Sequence, residues 1–191
     1  EERSEVMHQY EKINGLYQLL SGNRKNSRMD IETYVQRHYL EQILEAANQR
    51  FQDMSAGQFE LRMCDIDKAG TGKNRGLDLM VYSAVTGKVR EVRTLSGGES
   101  FMAALSLALG MADQIQESSA AINLDMMFID EGFGSLDEHS RDQAVKVLQN
   151  MAEGEKLIGI ISHVTELKQE IEDQLIVTKD DQGSHTRWQI S

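Results

Sequence analysis

The sequence predicts an α/β fold, in which helices flank a mostly parallel sheet. Two runs without a polar side chain, at 126–129 and 157–161, are typical of central parallel strands covered on both faces. Between them, Asp137 can cap an amphipathic helix, so that strand, helix and strand form one unit. We expect this α/β lobe to span residues 56–191, after a helical segment at 1–55.

Two helices are predicted in the N-terminal segment. Steps of four and three residues separate the apolar side chains of the first, which are Val6, Tyr10, Ile13, Tyr17 and Leu20. This spacing is typical of a coiled-coil seam or of two packed helices. Turn residues at 21–28 end the helix, and Asp30 is the predicted N-cap of a second one, in which Leu40, Leu44, Ala47, Phe51 and Met54 repeat the spacing.

Short antiparallel strands are predicted at 59–64, 77–83 and 88–93, the last two joined by the turn Thr86-Gly87. The segment Gly70–Asn74 resembles a phosphate-binding loop, but it lacks the required first glycine and the Ser or Thr after the lysine. We therefore interpret this segment as a turn between strands.

A long helix is predicted after Gly98. Its main apolar stripe contains Phe101, Leu105, Ala108, Ala112 and Ile115, and further apolar residues (Met102, Leu107, Leu109 and Met111) surround it almost completely. We expect this helix to be buried on most sides. Further strands are predicted at 174–178 and 187–190.

Composition limits the possible functions of the chain. It has 191 residues, a net charge of −11 and one cysteine, Cys64, which favours a reducing compartment and a structural role for that residue. No apolar run is long enough for a membrane span, and no signal peptide is recognisable, so we expect a cytoplasmic protein. The chain begins with Glu1 rather than Met, which indicates a fragment of a longer protein.

The negative charge argues against independent nucleic-acid binding, because affinity for DNA depends mainly on Lys and Arg. A local basic patch at Arg24–Arg28 offers one possible DNA contact, and a solvated loop explains it equally well.

Three short motifs carry the functional signal. Leu95–Ser100 places two glycines at the start of a helix, where backbone N–H groups can approach a phosphate. Met126–Glu131 is an apolar strand that ends in two carboxylates, and Ile160–His163 ends the next strand with a histidine. Each motif alone is more often a turn or a solvated strand end, but their order and spacing together indicate an ATP site.

These motifs resemble the C-terminal half of an ABC-type ATPase head. Leu95–Glu99 is similar to the signature loop, Met126–Glu131 to Walker B, Ser135–Asp137 to the D-loop and His163 to the switch histidine. The run 130–137, with Gly-Phe after the Asp-Glu pair, resembles the SbcC family of DNA-repair nuclease subunits more than membrane transporters or chromosome-condensing SMC proteins.

The resemblance implies ATP and Mg²⁺ as cofactors. Asp130 would hold Mg²⁺ through water, Glu131 would polarise the attacking water, and His163 would contact the γ-phosphate. The signature residues Ser96, Gly97, Gly98 and Glu99 would bind the ATP of a second head, with the D-loop residues Ser135, Leu136 and Asp137 at the same interface. ATP would thus join two heads, and hydrolysis would release them.

The implied partners are the N-terminal half of the same head, a second head, an SbcD-like nuclease and DNA, with no membrane. The first helix would be the root of a coiled-coil arm. Two other readings remain open: an SMC-like ATPase that tethers DNA without a nuclease, and an interaction lobe without activity of its own. Because Glu131 and His163 are chemical groups that a scaffold does not need, they favour an ATP hydrolase.

Overall fold

The computed structural model describes residues 2–21, 30–65, 76–118, 124–153 and 156–190. Its helices are α1 (Glu2–Leu20), α2 (Ile31–Met54), α3 (Gly97–Ser118), α4 (Glu138–Ala152) and the short α5 (Leu167–Glu170). Its strands are β1 (Phe59–Met63), β2 (Leu79–Ser83), β3 (Lys88–Glu91), β4 (Met126–Asp130), β5 (Leu157–Ile161), β6 (Gln174–Asp180) and β7 (Gly183–Gln189). Single 3₁₀ turns occupy Val92–Thr94 and Phe133–Ser135. The segments Gly70–Asn74 and Arg24–Arg28 discussed above lie outside the described residues.

The two N-terminal helices form as predicted. Asp30 caps α2, because its Oδ1 accepts a hydrogen bond of 2.7 Å from the backbone N–H of Thr33. The predicted apolar side of α2 enters the core, where Phe51 is fully buried. By contrast, the apolar side chains of α1 remain exposed, which is typical of a helix whose packing partner lies elsewhere.

The predicted antiparallel segment is a three-stranded sheet in the order β1-β2-β3. Asn48 of α2 ties this sheet to the helices, since its side chain exchanges hydrogen bonds with both backbone groups of Leu61. The sheet therefore supports the loop that leads from β3 into α3.

The core lies between α2, α3, α4 and the adjoining strands. Leu44, Phe51, Leu105, Leu109, Ala144 and Leu148 are among its buried members. The expectation that α3 is buried on most sides is wrong within this chain, because Ala108, Met111 and Ile115 are exposed. The core-facing stripe of α3 runs instead through Met102, Leu105, Leu109 and Ala112. Part of the apolar surface of α3 is thus uncovered by the described residues.

The strands β4 and β5 pair in parallel, as predicted, with Met126 opposite Leu157 and Asp130 opposite Ile161. The expectation that they are covered on both faces is wrong within this chain. One face, containing Ile129, packs on the core, whereas the other exposes Phe128 at 65% and Leu157 at 55%. We call this second face the bare sheet face; it comprises Met126, Phe128, Leu157 and Ile161. The apolar pattern predicts that both faces are covered, whereas the described part of the chain covers only one of them.

The C-terminal strands β6 and β7 form an antiparallel hairpin in which Leu175 lies opposite Trp188. Leu175, Val177 and Trp188 are exposed, so this hairpin also carries uncovered apolar surface. No helix among the described residues is long and apolar enough to cross a membrane.

Candidate functional site

The strand end comprises Asp130, Glu131 and His163. Because β4 and β5 are parallel, their carboxyl ends lie at one edge, and Glu131 continues the pairing by donating its N–H to Ile161 O at 2.9 Å. The Nδ1 atom of His163 lies 2.8 Å from Oε2 of Glu131. The His163 side chain is 80% exposed and that of Glu131 50% exposed, so both can reach a ligand.

A strained turn orients Glu131. Its φ of 60° is in the left-handed region, and Gly132 follows with φ of 100°. A Cβ atom at position 132 would overlap the ring of Phe101 from the first turns of α3. Phe101 also packs edge-on against Phe133, with ring centroids 5.0 Å apart. The turn therefore requires glycine at 132, and α3 directly supports it.

The predicted signature loop is a capping box at the N-terminus of α3. The N–H of Glu99 donates to Ser96 Oγ at 3.3 Å, and the N–H of Ser96 donates to Glu99 Oε2 at 2.7 Å. These bonds engage the Glu99 carboxylate within its own loop. The N–H groups of Gly97 and Gly98, in the first turn, have no partner inside the helix and are suited to an anion.

The predicted D-loop leads from the 3₁₀ turn into α4. Ser135 Oγ donates to Gly132 O at 2.7 Å, and Leu136 is buried. Asp137 is the N-cap of α4, where its carboxylate accepts hydrogen bonds from the backbone N–H and the hydroxyl of Ser140. The backbone bond first, and then the hydroxyl bond, lower the pKa of Asp137 below its ordinary value.

These two loops contact each other, and we call them together the loop corner: Ser96–Glu99 with Ser135–Asp137. A Cβ on Gly98 would lie 2.8 Å from the backbone oxygen of Ser135, whereas one on Gly97 would approach only the Ser135 Cβ, at 3.6 Å. Approach to a phosphate, the role that the sequence predicts for both glycines, is therefore not the only reason for glycine at these positions. Internal packing requires Gly98, and Gly97 remains available for ligand approach. A groove of about 240 Å³ runs beside the corner towards the end of α2.

The structure thus sorts the sequence-predicted site residues into two groups. Glu131 and His163 are in contact at the strand end, and the signature and D-loop residues meet in the loop corner. Among the described residues, no three His, Cys, Asp or Glu side chains cluster as a metal site. A lone Asp130 still fits Mg²⁺, which commonly keeps its waters and binds proteins through one or two carboxylates.

Sequence reasoning missed two supporting residues, Arg90 and Phe101. Arg90 contacts Glu99, and Phe101 packs over Gly132. The pattern Ser-x-x-Glu at 96–99 signals a capping box and could have indicated that the Glu99 carboxylate, predicted to bind ATP, is engaged within its own loop. The contacts of Arg90 and Phe101 had no such signal, because they depend on tertiary packing.

Comparison with known proteins identifies a related family. A family model described as "SbcC/RAD50-like, Walker B motif" matches residues 77–150. The chain is 48% identical over 163 residues to the SbcC subunit of the nuclease SbcCD from Treponema pallidum, covering 85% of this chain and 15% of that protein. It is 44% identical over 179 residues to the SbcC subunit of the same nuclease from Vibrio cholerae, covering 94% of this chain and 18% of that protein. The chain therefore spans less than a fifth of these relatives.

Solved structures confirm the α/β fold, which resembles that of SMC head domains. A chain from structural work on ATP-driven dimerization and DNA-stimulated activation of SMC ATPases superposes with a TM-score of 0.63 at 15% identity, over 82% of this chain and 88% of the other. An Smc head domain from Pyrococcus furiosus, bound to the C-terminal domain of ScpA, gives 0.58 at 17% identity, over 82% and 36%. At these identities the likeness concerns the fold alone.

Proposed function

This chain is SbcC-like in sequence, and on that premise we propose that it forms the C-terminal part of an SbcC-type ATPase head. In this proposal, residues 56–191 are the ATPase lobe, and 1–55 lead into it from a coiled-coil arm. Completed by its N-terminal half, the head hydrolyses ATP and thereby controls head dimerisation and an SbcD-like nuclease acting on DNA ends. The observation that carries the proposal is the contact between Glu131 and His163 at the ends of two parallel strands.

The strand end has the groups that ATP hydrolysis requires. Bound Mg²⁺-ATP would supply the phosphoryl group that water attacks. Glu131 would orient and polarise this water, Asp130 would hold the metal through its water shell, and His163 would contact the terminal phosphate. The hydrogen bond between His163 and Glu131 supports these roles, because it ties the carboxylate to the neighbouring side chain.

The loop corner would serve the nucleotide of a second head. Ser96 and the N–H groups of Gly97 and Gly98 would meet its phosphates at the positive end of a helix of 22 residues. Ser135 and Asp137 are exposed beside them, so the D-loop would lie at the same interface. A ligand held by both heads stabilises only the dimer, which makes dimerisation depend on ATP.

The bare sheet face supports an origin in a larger head. Several large apolar side chains lie side by side on a parallel pair, and parallel strands are normally covered on both faces. We assign this face to the N-terminal half of the same head, because the chain covers only 15–18% of its SbcC relatives. That half would also supply the phosphate-binding loop and the coiled-coil partner of α1.

The test uses the complete head, meaning this chain together with its N-terminal ATPase half. We expect Glu131→Gln to retain ATP binding and to slow hydrolysis by roughly 10² or more, the scale of a lost general base. The dimer should then accumulate with Mg²⁺-ATP, as measured by light scattering. Glu138→Gln, which neutralises an exposed carboxylate at the first residue of α4, is the matched control for charge and should leave hydrolysis unchanged. Hydrolysis by the Glu131→Gln head at the parental rate would exclude Glu131 as the water-orienting group.

A second assay separates the proposed function from an SMC-like tether. The complete head would be mixed with the SbcD-like nuclease of the same organism, and DNA-end cleavage would be measured with ATP. We expect cleavage to depend on ATP hydrolysis. A head that hydrolyses ATP but neither binds nor stimulates the nuclease would favour a tether.

A further inference from the structure

We propose that Arg90 is a positioning residue that holds the signature loop in the conformation needed to grip the nucleotide of a second head. This inference rests on the function proposed for that loop. Arg90 lies on β3, outside every motif described above, and its guanidinium group contacts both sides of the loop.

The contacts of Arg90 connect the two ends of the loop. Its Nη1 donates to the backbone oxygen of Thr94 at 2.7 Å, just before the loop. Its Nη2 lies 3.3 Å from Oε2 of Glu99, just after the two glycines. The same Oε2 atom accepts the N–H of Ser96 at 2.7 Å, so Arg90, Glu99 and Ser96 form one chain of hydrogen bonds.

Arginine suits this position for a geometric reason. Its planar guanidinium group carries five N–H donors in a fixed fork, so one side chain can hold a carbonyl and a carboxylate simultaneously. A lysine keeps the charge but is a point donor without this fork. We therefore expect Arg90→Lys to retain only part of the effect.

Arg90 also offsets a negative charge in the loop. Glu99 places a carboxylate beside N–H groups that are proposed to receive a phosphate, and like charges repel. The positive charge of Arg90 offsets the negative charge of Glu99 and helps to hold the carboxylate near Ser96. Without Arg90, the N–H of Ser96 alone among the described groups would hold the carboxylate, and its negative charge would no longer be offset.

The antiparallel sheet fixes Arg90 itself. Arg90 pairs with Val81 of the buried central strand β2, and its guanidinium carbon lies 5.7 Å from the centre of the Phe59 ring on β1. The antiparallel sheet carries none of the recognised motifs, but by holding Arg90 it supports the signature loop.

If Arg90 only stabilised the fold, its replacement would lower the thermal midpoint and would leave nucleotide-driven dimerisation unchanged. The side chains of Arg90 and Glu99 are 36% and 24% exposed, and partly exposed ion pairs contribute little to stability. Losing the pair should therefore leave folding nearly unchanged and alter the loop. The inference requires an effect on nucleotide-driven dimerisation and on loop order, with a thermal midpoint close to that of the parent.

The experiment compares Arg90→Gln, Arg90→Lys and Arg93→Gln in the complete head carrying Glu131→Gln. Arg93 is the matched control, because it is 82% exposed and pairs with Glu91 rather than with the loop. Light scattering gives the Mg²⁺-ATP concentration at half-maximal dimer. We expect an increase of roughly tenfold or more for Arg90→Gln, a smaller increase for Arg90→Lys, and no change for Arg93→Gln, by analogy with hydrogen bonds to charged groups.

A second readout needs no nucleotide. Hydrogen exchange at the amides of Ser96 and Glu99, whose N–H groups form the capping box, should be faster in Arg90→Gln than in the parent or in Arg93→Gln. Parental dimerisation together with parental exchange in Arg90→Gln would overturn the inference. If the Glu131→Gln parent itself does not dimerise with ATP, the proposed function fails, and the exchange rates alone then decide whether Arg90 positions the loop.

Discussion

The loop corner and the strand end differ in how completely this chain builds them. In the loop corner, the capping box, Arg90 and the contact of Gly98 with Ser135 fix every segment within the chain. At the strand end, Glu131 and His163 are largely exposed beside the bare sheet face. The part proposed to serve a neighbour's nucleotide is therefore held in place by contacts within this chain, whereas the part proposed to serve the chain's own nucleotide lies beside an uncovered apolar face.

Phe128 tests whether the bare sheet face is covered in the complete head. It is 65% exposed in this chain, and we expect Phe128→Ala to destabilise the complete head by about 3–5 kcal/mol, the range for a buried phenylalanine. Chemical denaturation measures the change. Val85→Ala, in the exposed β2–β3 turn, is the control and should stay within about 0.5 kcal/mol of the parent. Equal effects of the two substitutions would mean that the face remains in water, and the contrast between the two regions would disappear.

Gly132 tests the turn that joins the two regions. Gly132→Ala places a methyl group on the Phe101 ring at a positive φ, so we expect a loss of about 2–4 kcal/mol in unfolding free energy from strain and overpacking. ATP hydrolysis should fall as well, because Glu131 precedes this glycine. The control is Gly134→Ala, whose new Cβ would make an ordinary contact of 3.6 Å with Val164. If the two variants gave the same denaturation curves and the same hydrolysis rates, the proposed requirement for glycine at position 132 would be refuted.

The neighbouring glycines of the loop corner separate packing from ligand approach. We expect Gly98→Ala to destabilise the complete head by about 1–3 kcal/mol, because the rigid backbone of Ser135 cannot yield. Gly97→Ala should leave stability nearly unchanged. In light scattering with Mg²⁺-ATP, both should weaken the dimer. A Gly97→Ala head that dimerises like its parent would show that no ligand approaches position 97 closely.

Asp137 gives the smallest expected effect, which depends on pH. Since the folded pKa of Asp137 is lowered, its cap contributes fully above the unfolded value of about 3.9 and is lost as pH falls through the folded pKa. Asp137→Asn cannot titrate. In urea titrations, the free energy of unfolding of the parent should therefore fall relative to that of the variant as the pH decreases from about 5 to about 2. A difference independent of pH would mean that the carboxylate charge does not contribute to the cap.

Much of the fold follows from local sequence signals. Asp30 and Asp137 both cap the helices they were predicted to cap, because an Asp before an amphipathic pattern satisfies the first free N–H groups. The parallel pairing of β4 and β5 follows from their apolar runs and the intervening helix. The proximity of Glu131 and His163 follows in turn, since both residues leave parallel strands at the same edge.

The remaining features depend on contacts that a local pattern does not encode. Apolar runs predict that Phe128 and Met111 are buried, whereas the described residues leave both side chains exposed. The reason for Gly98 is the backbone of a loop almost forty positions later, and the role of Arg90 depends on sheet register. The division at residue 55 stays a prediction, and α2 lies in the same core as α3.

The contact of Phe101 with Gly132 has a consequence for how such sequences can change over evolutionary time. The ring occupies the volume that any side chain at 132 would need, so the two positions form one steric unit although they are distant along the chain. Because Gly132 also has a positive φ, a smaller residue at 101 would relieve the overlap but not the backbone strain, so we expect relatives to keep glycine at 132. An alignment of SbcC sequences would thus show a constant glycine just after the strand, whatever the residue at the start of the helix.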